Sequence, residues 1–238
     1  DIPNTSSISI ISPSGEDTSR IPFHAGSSAE LDFLFERTKV SVDYRILVEK
    51  NHFELVFFRF NSPAAGIWKI VIEPITVTDG QFHMWLPVTE FIDGEVYFLE
   101  SDPYYTLTNP ANTQSPVVVS YYNGTTNAVS QTSGRGYTRS GQIKPDLTAP
   151  GINIRVLFPT DDLKHIPAPA QPVRHAGAVA LMLEWLLYIQ KAPGIDSFQI
   201  RSLLILGALR PDTMEYPNRI WGYGQLNLYH TFEVMRKL

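Results

Sequence analysis

The sequence predicts an α+β chain of two domains, an antiparallel β-sandwich of the jelly-roll kind over 1–109 followed by part of an α/β layer with a parallel sheet over 110–238. Three observations lead there. Up to about Asn109, short apolar runs alternate at period two and are separated by turn residues, with no convincing helix. Beyond that point, short strands alternate with helical patterns. With 238 residues, 43% hydrophobic and only 18% charged, the chain can bury a substantial core.

Taken in order, Ser6 to Ile11 places Ile8 and Ile10 on one face of a strand, and Pro13 to Glu16 ends it in a turn. Ala29 to Val48 fits both periods, but Val40, Val42, Tyr44 and Ile46 favour strand. From His52 to Phe60, Phe53, Leu55 and Phe57 take one face while Val56, Phe58 and Phe60 take the other. A strand apolar on both sides is expected between two layers. A turn at Pro63 to Gly66 leads into a strand ending at Ile72. Asp79-Gly80 then forms a hairpin tip before a strand over Gln81 to Leu86.

In the second half, Pro116 to Tyr122 carries β-branched residues on both faces, as a central parallel strand does, and Ile152 to Phe158 is a further strand candidate. His175 to Gln190 is too apolar for a single stripe, so it predicts a helix buried on most of its surface. A second helix is capped by Asp196, with Gln199 completing a capping box, and ends by Pro211. Two or three strands and two helices cannot enclose the first helix, so this half is expected to be incomplete. A first residue of Asp1 rather than Met fits the same expectation, a piece of something longer.

Composition excludes several functions. A net charge of −5 with no basic cluster gives no reason to bind nucleic acid. The absence of cysteine excludes disulfides, thiolate zinc sites and a cysteine nucleophile. The longest apolar stretch, Ala176 to Ile189 with Glu184 inside it, is shorter than the roughly 20 residues of a membrane span.

Two motifs then carry chemistry. Ser133-Gly134-Arg135-Gly136-Tyr137-Thr138-Arg139 precedes Ile143-Lys144-Pro145-Asp146-Leu147-Thr148-Ala149-Pro150-Gly151, and Ala176-Gly177-Ala178-Val179-Ala180-Leu181 follows downstream. In order and spacing they resemble the subtilisin-like serine proteases (the S8 family). There, a Lys-Pro-Asp-x-x-Ala-Pro-Gly segment leads to a Gly-Thr-Ser nucleophile motif and a small-residue helix. Met182 to Trp185 and Tyr216 to Gly224 resemble more narrowly the clostridial Csp branch, which carries a jelly-roll insert. Ser7 to Glu16, Gly66-Ile67-Trp68 and His83 to Pro87 resemble that insert.

The resemblance implies a subtilisin-like α/β domain, a place in spore germination and a location in the cortex or coat region of the spore. Active Csp members cleave a cortex hydrolase precursor, and inactive ones act as sensors or regulators. The partners implied are the N-terminal part of the same precursor (its prodomain and the rest of the subtilase domain), other Csp germination proteins and a small-molecule germinant. No cofactor is implied.

Aligning Ala176-Gly177 with the family's helix places Pro167-Ala168-Pro169 where Gly-Thr-Ser belongs, so Pro169 stands at the nucleophile position. Arg174 falls where the family often has histidine. Shifting the alignment does not restore the serine, because Phe158 to Leu187 contains none, and Thr160 lies too early. Proline offers neither a hydroxyl to deprotonate nor a backbone N–H. In subtilisin itself, loss of the nucleophile costs on the order of 10⁶ in turnover, about 8 kcal/mol of barrier. The expectation is a catalytically dead member. The family's catalytic aspartate, histidine and oxyanion-hole asparagine would lie upstream of Asp1, so the alternative is an active protease with its catalytic residues elsewhere.

Other candidates weigh less. The six histidines (His24, His52, His83, His165, His175 and His230) are scattered without metal-ligand spacing. Asp161-Asp162 is a lone acidic doublet, more often solvated than a calcium site. Trp68, Trp85, Tyr104 and Tyr105 could form a sugar-stacking platform, giving a carbohydrate-binding sandwich as a third reading, although such tryptophans more often lie in a core. Asn123-Gly124-Thr125 matches a glycosylation sequon.

Overall fold

A computed structural model describes residues 6–21, 26–47, 53–76, 80–87, 91–157, 163–166, 171–191 and 194–237. It divides into two compact units, Asp1–Tyr97 and Phe98–Leu238.

In the first unit, β1 (Ser6–Ile11) pairs antiparallel with β5 (Lys69–Pro74). The strands β2 (Ser28–Phe33), β3 (Thr38–Leu47) and β4 (Phe53–Asn61) form a second antiparallel sheet. Strand propensity wins over Ala29 to Val48, as expected, but the stretch folds back at Leu34–Arg37 into a hairpin. Ile8 and Ile10 of β1 meet Phe33, Val40, Val42 and Tyr44 of the second sheet in one core. Trp68 closes it edge-on against Phe33 and Phe60 (centroids at 5.0 and 5.3 Å), and its indole N–H donates to the Ala64 carbonyl (3.0 Å).

Two expectations fail here. Only one face of β4 is packed: Val56, Phe58 and Phe60 line the core opposite Tyr44, Val42 and Val40. Phe57, on the other face, is 44% exposed and carries the Arg45 guanidinium over its ring at 5.3 Å, so a cation covers it in place of a second layer. Gln81 to Leu86 is not a strand. Its alternation is genuine, but among the described residues no strand is paired with it. The proposed tip at Asp79 lies outside the described residues.

The second unit contains β6 (Val119–Asn123), β7 (Leu147–Ile152), β8 (Ile154–Leu157), β9 (Leu163–Ile166), α1 (Gln171–Glu184), α2 (Ser197–Leu206) and α3 (Leu228–Met235). β6 and β7 are parallel, so the expected central strand exists, and the Leu147–Ile152 part of the Lys-Pro-Asp segment is its neighbour. The strand candidate at Ile152 to Phe158 is corrected. The chain breaks after Ile152 at Asn153, whose φ is 53°, and Ile154–Leu157 turns into an antiparallel hairpin with β9. α1 starts at Gln171, one turn before His175, and continues into a π-helical turn, Trp185–Ile189. The Asp196 capping box forms as expected: Asp196 accepts from the Gln199 N–H (2.8 Å) and Gln199 from the Asp196 N–H (3.0 Å). That helix ends at Gly207, before Pro211, and the Arg210 side chain donates to the Ile205 carbonyl of its last turn. α3 is an addition, capped by Asn227 on the His230 N–H (3.0 Å). Leu147 of β7, Met182 and Leu186 of the first helical run, Ile200 and Leu204 of α2, and Met235 of α3 build one core.

Candidate functional site

The Lys-Pro-Asp segment enters the interior just before β7. Lys144 and Asp146 flank Pro145 in the irregular segment that ends at β7. Their side chains are 2% and 3% exposed, and Lys144 Nζ donates to Asp146 Oδ2 at 2.7 Å. The ammonium also donates to the Pro116 carbonyl (2.9 Å), and the same carboxylate oxygen accepts from the Val118 N–H (2.7 Å). Arg201 of α2 stands 3.9 Å from Asp146 Oδ1 and donates to the Gln114 carbonyl (2.9 Å). Removing one partner of such a buried pair would cost about 3–5 kcal/mol, because the other charge stays dry and unpaired. Each charge is held by fixed partners, so the pair joins the start of the parallel sheet to α2.

The surrounding backbone packs against this segment at contact distance. A Cβ on Gly136 would lie 1.7 Å from the Lys144 carbonyl oxygen, so only glycine lets the Ser-Gly-Arg-Gly turn pass. That turn is fixed by Gly136 N–H to the Arg219 carbonyl (2.8 Å) and by the Tyr121 N–H donating to Ser133 Oγ (3.0 Å). Ser120 of β6 donates to the Ile220 carbonyl (2.8 Å) and shares a hydrogen bond with Thr148 of β7. The Arg219 guanidinium lies over the rings of Tyr104, Tyr105 and Tyr137, at 5.0, 5.4 and 5.6 Å.

Pro167, Ala168 and Pro169 lie outside the described residues, as do Thr160, Asp161 and Asp162; Gln171 of α1 follows Pro169 by two positions. His165 lies on β9, and Arg174 and His175 lie in the first turns of α1. His24 and His52 are outside the described residues, His83 stacks on Trp85 (5.6 Å), and the His230 ring meets the Gly207 carbonyl (3.2 Å). Among the described residues no three histidines, aspartates or glutamates converge as a metal site. Trp68 belongs to the first core, and Tyr104 and Tyr105 belong to the Arg219 cluster. Asn123 spends its side-chain oxygen on the Thr125 and Thr126 N–H groups (2.9 and 3.3 Å). Nothing local links Arg219 to three tyrosines far away in sequence.

No family model matches the sequence, and no curated protein does. A solved structure does. The CspB protease of Clostridium perfringens superposes with a TM-score of 0.82 at 29% identity, covering 98% of this chain and 50% of that one. The fold is subtilase-like. The match takes in both units, and the chain spans about half the length of that protease. The patellamide maturation protease PatA (TM-score 0.40, 22% identity, 54% of this chain and 46% of that one) and the prenylagaramide maturation protease PagA (0.41, 21%, 56% and 46%) are more distant neighbours.

Proposed function

We propose that this chain is the jelly-roll insert and the C-terminal part of the subtilase domain of a Csp-type pseudoprotease, a regulator or sensor in spore germination signalling. One observation carries the inactivity: no serine occurs between Phe158 and Leu187, and proline stands at position 169, where the motif alignment calls for the nucleophile. The ion-paired Lys-Pro-Asp segment and the intact small-residue helix support a scaffold kept for its shape while its hydrolytic group is gone. As a binding protein it would act beside other Csp proteins in the spore, with the N-terminal part of its precursor as structural partner and a small-molecule germinant as signal.

The test is reaction of the full-length protein with a serine-directed fluorophosphonate, alongside incubation with a cortex hydrolase precursor. The expected outcome is no covalent adduct and no cleavage. Stoichiometric labelling or precursor processing would overturn the proposal in favour of an active protease with its nucleophile elsewhere.

A further inference from the structure

Arg219 carries a charge that the second unit holds in place without pairing. Its guanidinium lies 5.0, 5.4 and 5.6 Å from the ring centroids of Tyr104, Tyr105 and Tyr137. Ring faces attract a cation, but they offer no oxygen to its five N–H donors. Among the described residues, the guanidinium has neither a hydrogen-bond acceptor nor a carboxylate partner. Two other arginines of this unit differ. Arg201 donates to the Gln114 carbonyl, and Arg210 to those of Tyr223 and Ile205. Arg219 is partly exposed, so its donors are left to water.

Each member of the cluster is fixed through its own backbone or hydroxyl. The Arg219 carbonyl accepts from the Gly136 N–H (2.8 Å), and its turn is closed by Asn218 and Gly222, which exchange both backbone bonds (3.0 Å each). The Tyr104 N–H donates to Asp102 (2.9 Å). Next to Tyr105, the Thr106 N–H donates to the Arg135 carbonyl (3.0 Å) and the Arg135 N–H to Thr106 Oγ1 (2.9 Å). The Tyr137 hydroxyl donates to the Pro217 carbonyl (3.1 Å). Tyr105 itself has a φ of 56°, a left-handed conformation that bulky residues rarely adopt. Such strain persists where the surroundings over-determine it, and it gathers at ligand clamps.

A planar, permanently charged fork is thus ordered before anything binds to it, which lowers the cost of engaging it. Its geometry matches a carboxylate, held by two parallel N–H···O bonds. Phosphate sites gather several cations or a helix N-terminus, whereas these three rings share one cation. We propose that Arg219 and its three tyrosines form a binding site for a carboxylate, carried by a small organic acid or by the C-terminus of a peptide. The assignment stands on this cluster alone and needs neither the Csp-type reading nor the missing serine.

Modification of the full-length protein by phenylglyoxal, read at Arg219 by mass spectrometry, tests it. Arg219 should react, and saturating benzoate should slow the reaction about tenfold while uncharged benzamide leaves it unchanged. Equal protection by tetra-alanine, lost in its C-terminal amide, assigns the site to peptide ends; protection by benzoate alone assigns it to small acids. An unreactive Arg219, no protection by benzoate, equal protection by benzamide, or stronger protection by inorganic phosphate would each overturn the proposal. Arg219→Lys keeps the charge and loses the fork, so calorimetric titration should show benzoate binding about tenfold more weakly. Unchanged affinity would refute a two-bond grip, and if that variant unfolds, protection of the wild-type protein decides alone.

Discussion

Two buried ionisable residues bear on the pH behaviour of the first unit. Tyr44 is 1% exposed; burial, with the Glu54 charge adding to it, pushes its phenol up to about 12. Between pH 10 and 12 the folded state therefore keeps a proton that the unfolded chain has released. This contribution is fully present below pH 10 and is lost as pH rises through 12. Burial also raises the Glu54 carboxyl, although the Ser6 N–H and hydroxyl (both at 3.2 Å) oppose the shift, and its Oε1 has no hydrogen-bond partner among the described residues. In urea titrations, the wild-type midpoint should fall more steeply than that of Tyr44→Phe between pH 10 and 12. The variant should be weaker by about 1 kcal/mol at pH 8, through loss of the hydroxyl bond to Ile21. Parallel pH dependences would refute the assignment.

At the scale of elements, ends are set by local chemistry and packing by what lies across from them. The capping box of α2 is complete within its own four residues, which is why it was legible beforehand. Asp196→Ala should cost about 1 kcal/mol in the unfolding of the second unit, and a change under a few tenths would show the box to be dispensable. β4 teaches the opposite lesson. Its sequence is apolar on both faces, yet one face meets a sheet and the other meets Arg45 and water. Alternation tells which residues share a face; it does not tell whether a second layer arrives. The same holds for Gln81 to Leu86, which has a strand's pattern and, among the described residues, no strand paired with it.

For the whole molecule, each unit has its own core: Ile8, Ile10, Phe33, Val40, Val42 and Tyr44 in the first, and Leu147, Met182, Leu186, Ile200, Leu204 and Met235 in the second. A cavity at Ile10, fully buried, should therefore be felt within one core. Calorimetry of Ile10→Ala should show one unfolding transition lowered by about 2–5 kcal/mol and another unmoved. A uniform drop of the entire profile would mean that the cores unfold as one. The likeness to half of the CspB protease takes in both units.

The sequence by itself determined the change of grammar between the halves, the strands of the hairpin region, the parallel strand at Val119, the capped helix at Asp196 and the absence of a serine between Phe158 and Leu187. These depend on residue type and short-range spacing, which fix turns, caps and the available functional groups. Only the tertiary structure decided that Lys144 and Asp146 are a dry ion pair held by Pro116, Val118 and Arg201. It likewise decided that Arg219 lies among three tyrosines, that the run after Ile152 turns into an antiparallel hairpin, and that one apolar stripe of α1 faces outward. Each of these depends on groups distant in sequence arriving at, or staying away from, the same place, and local pattern carries no record of that.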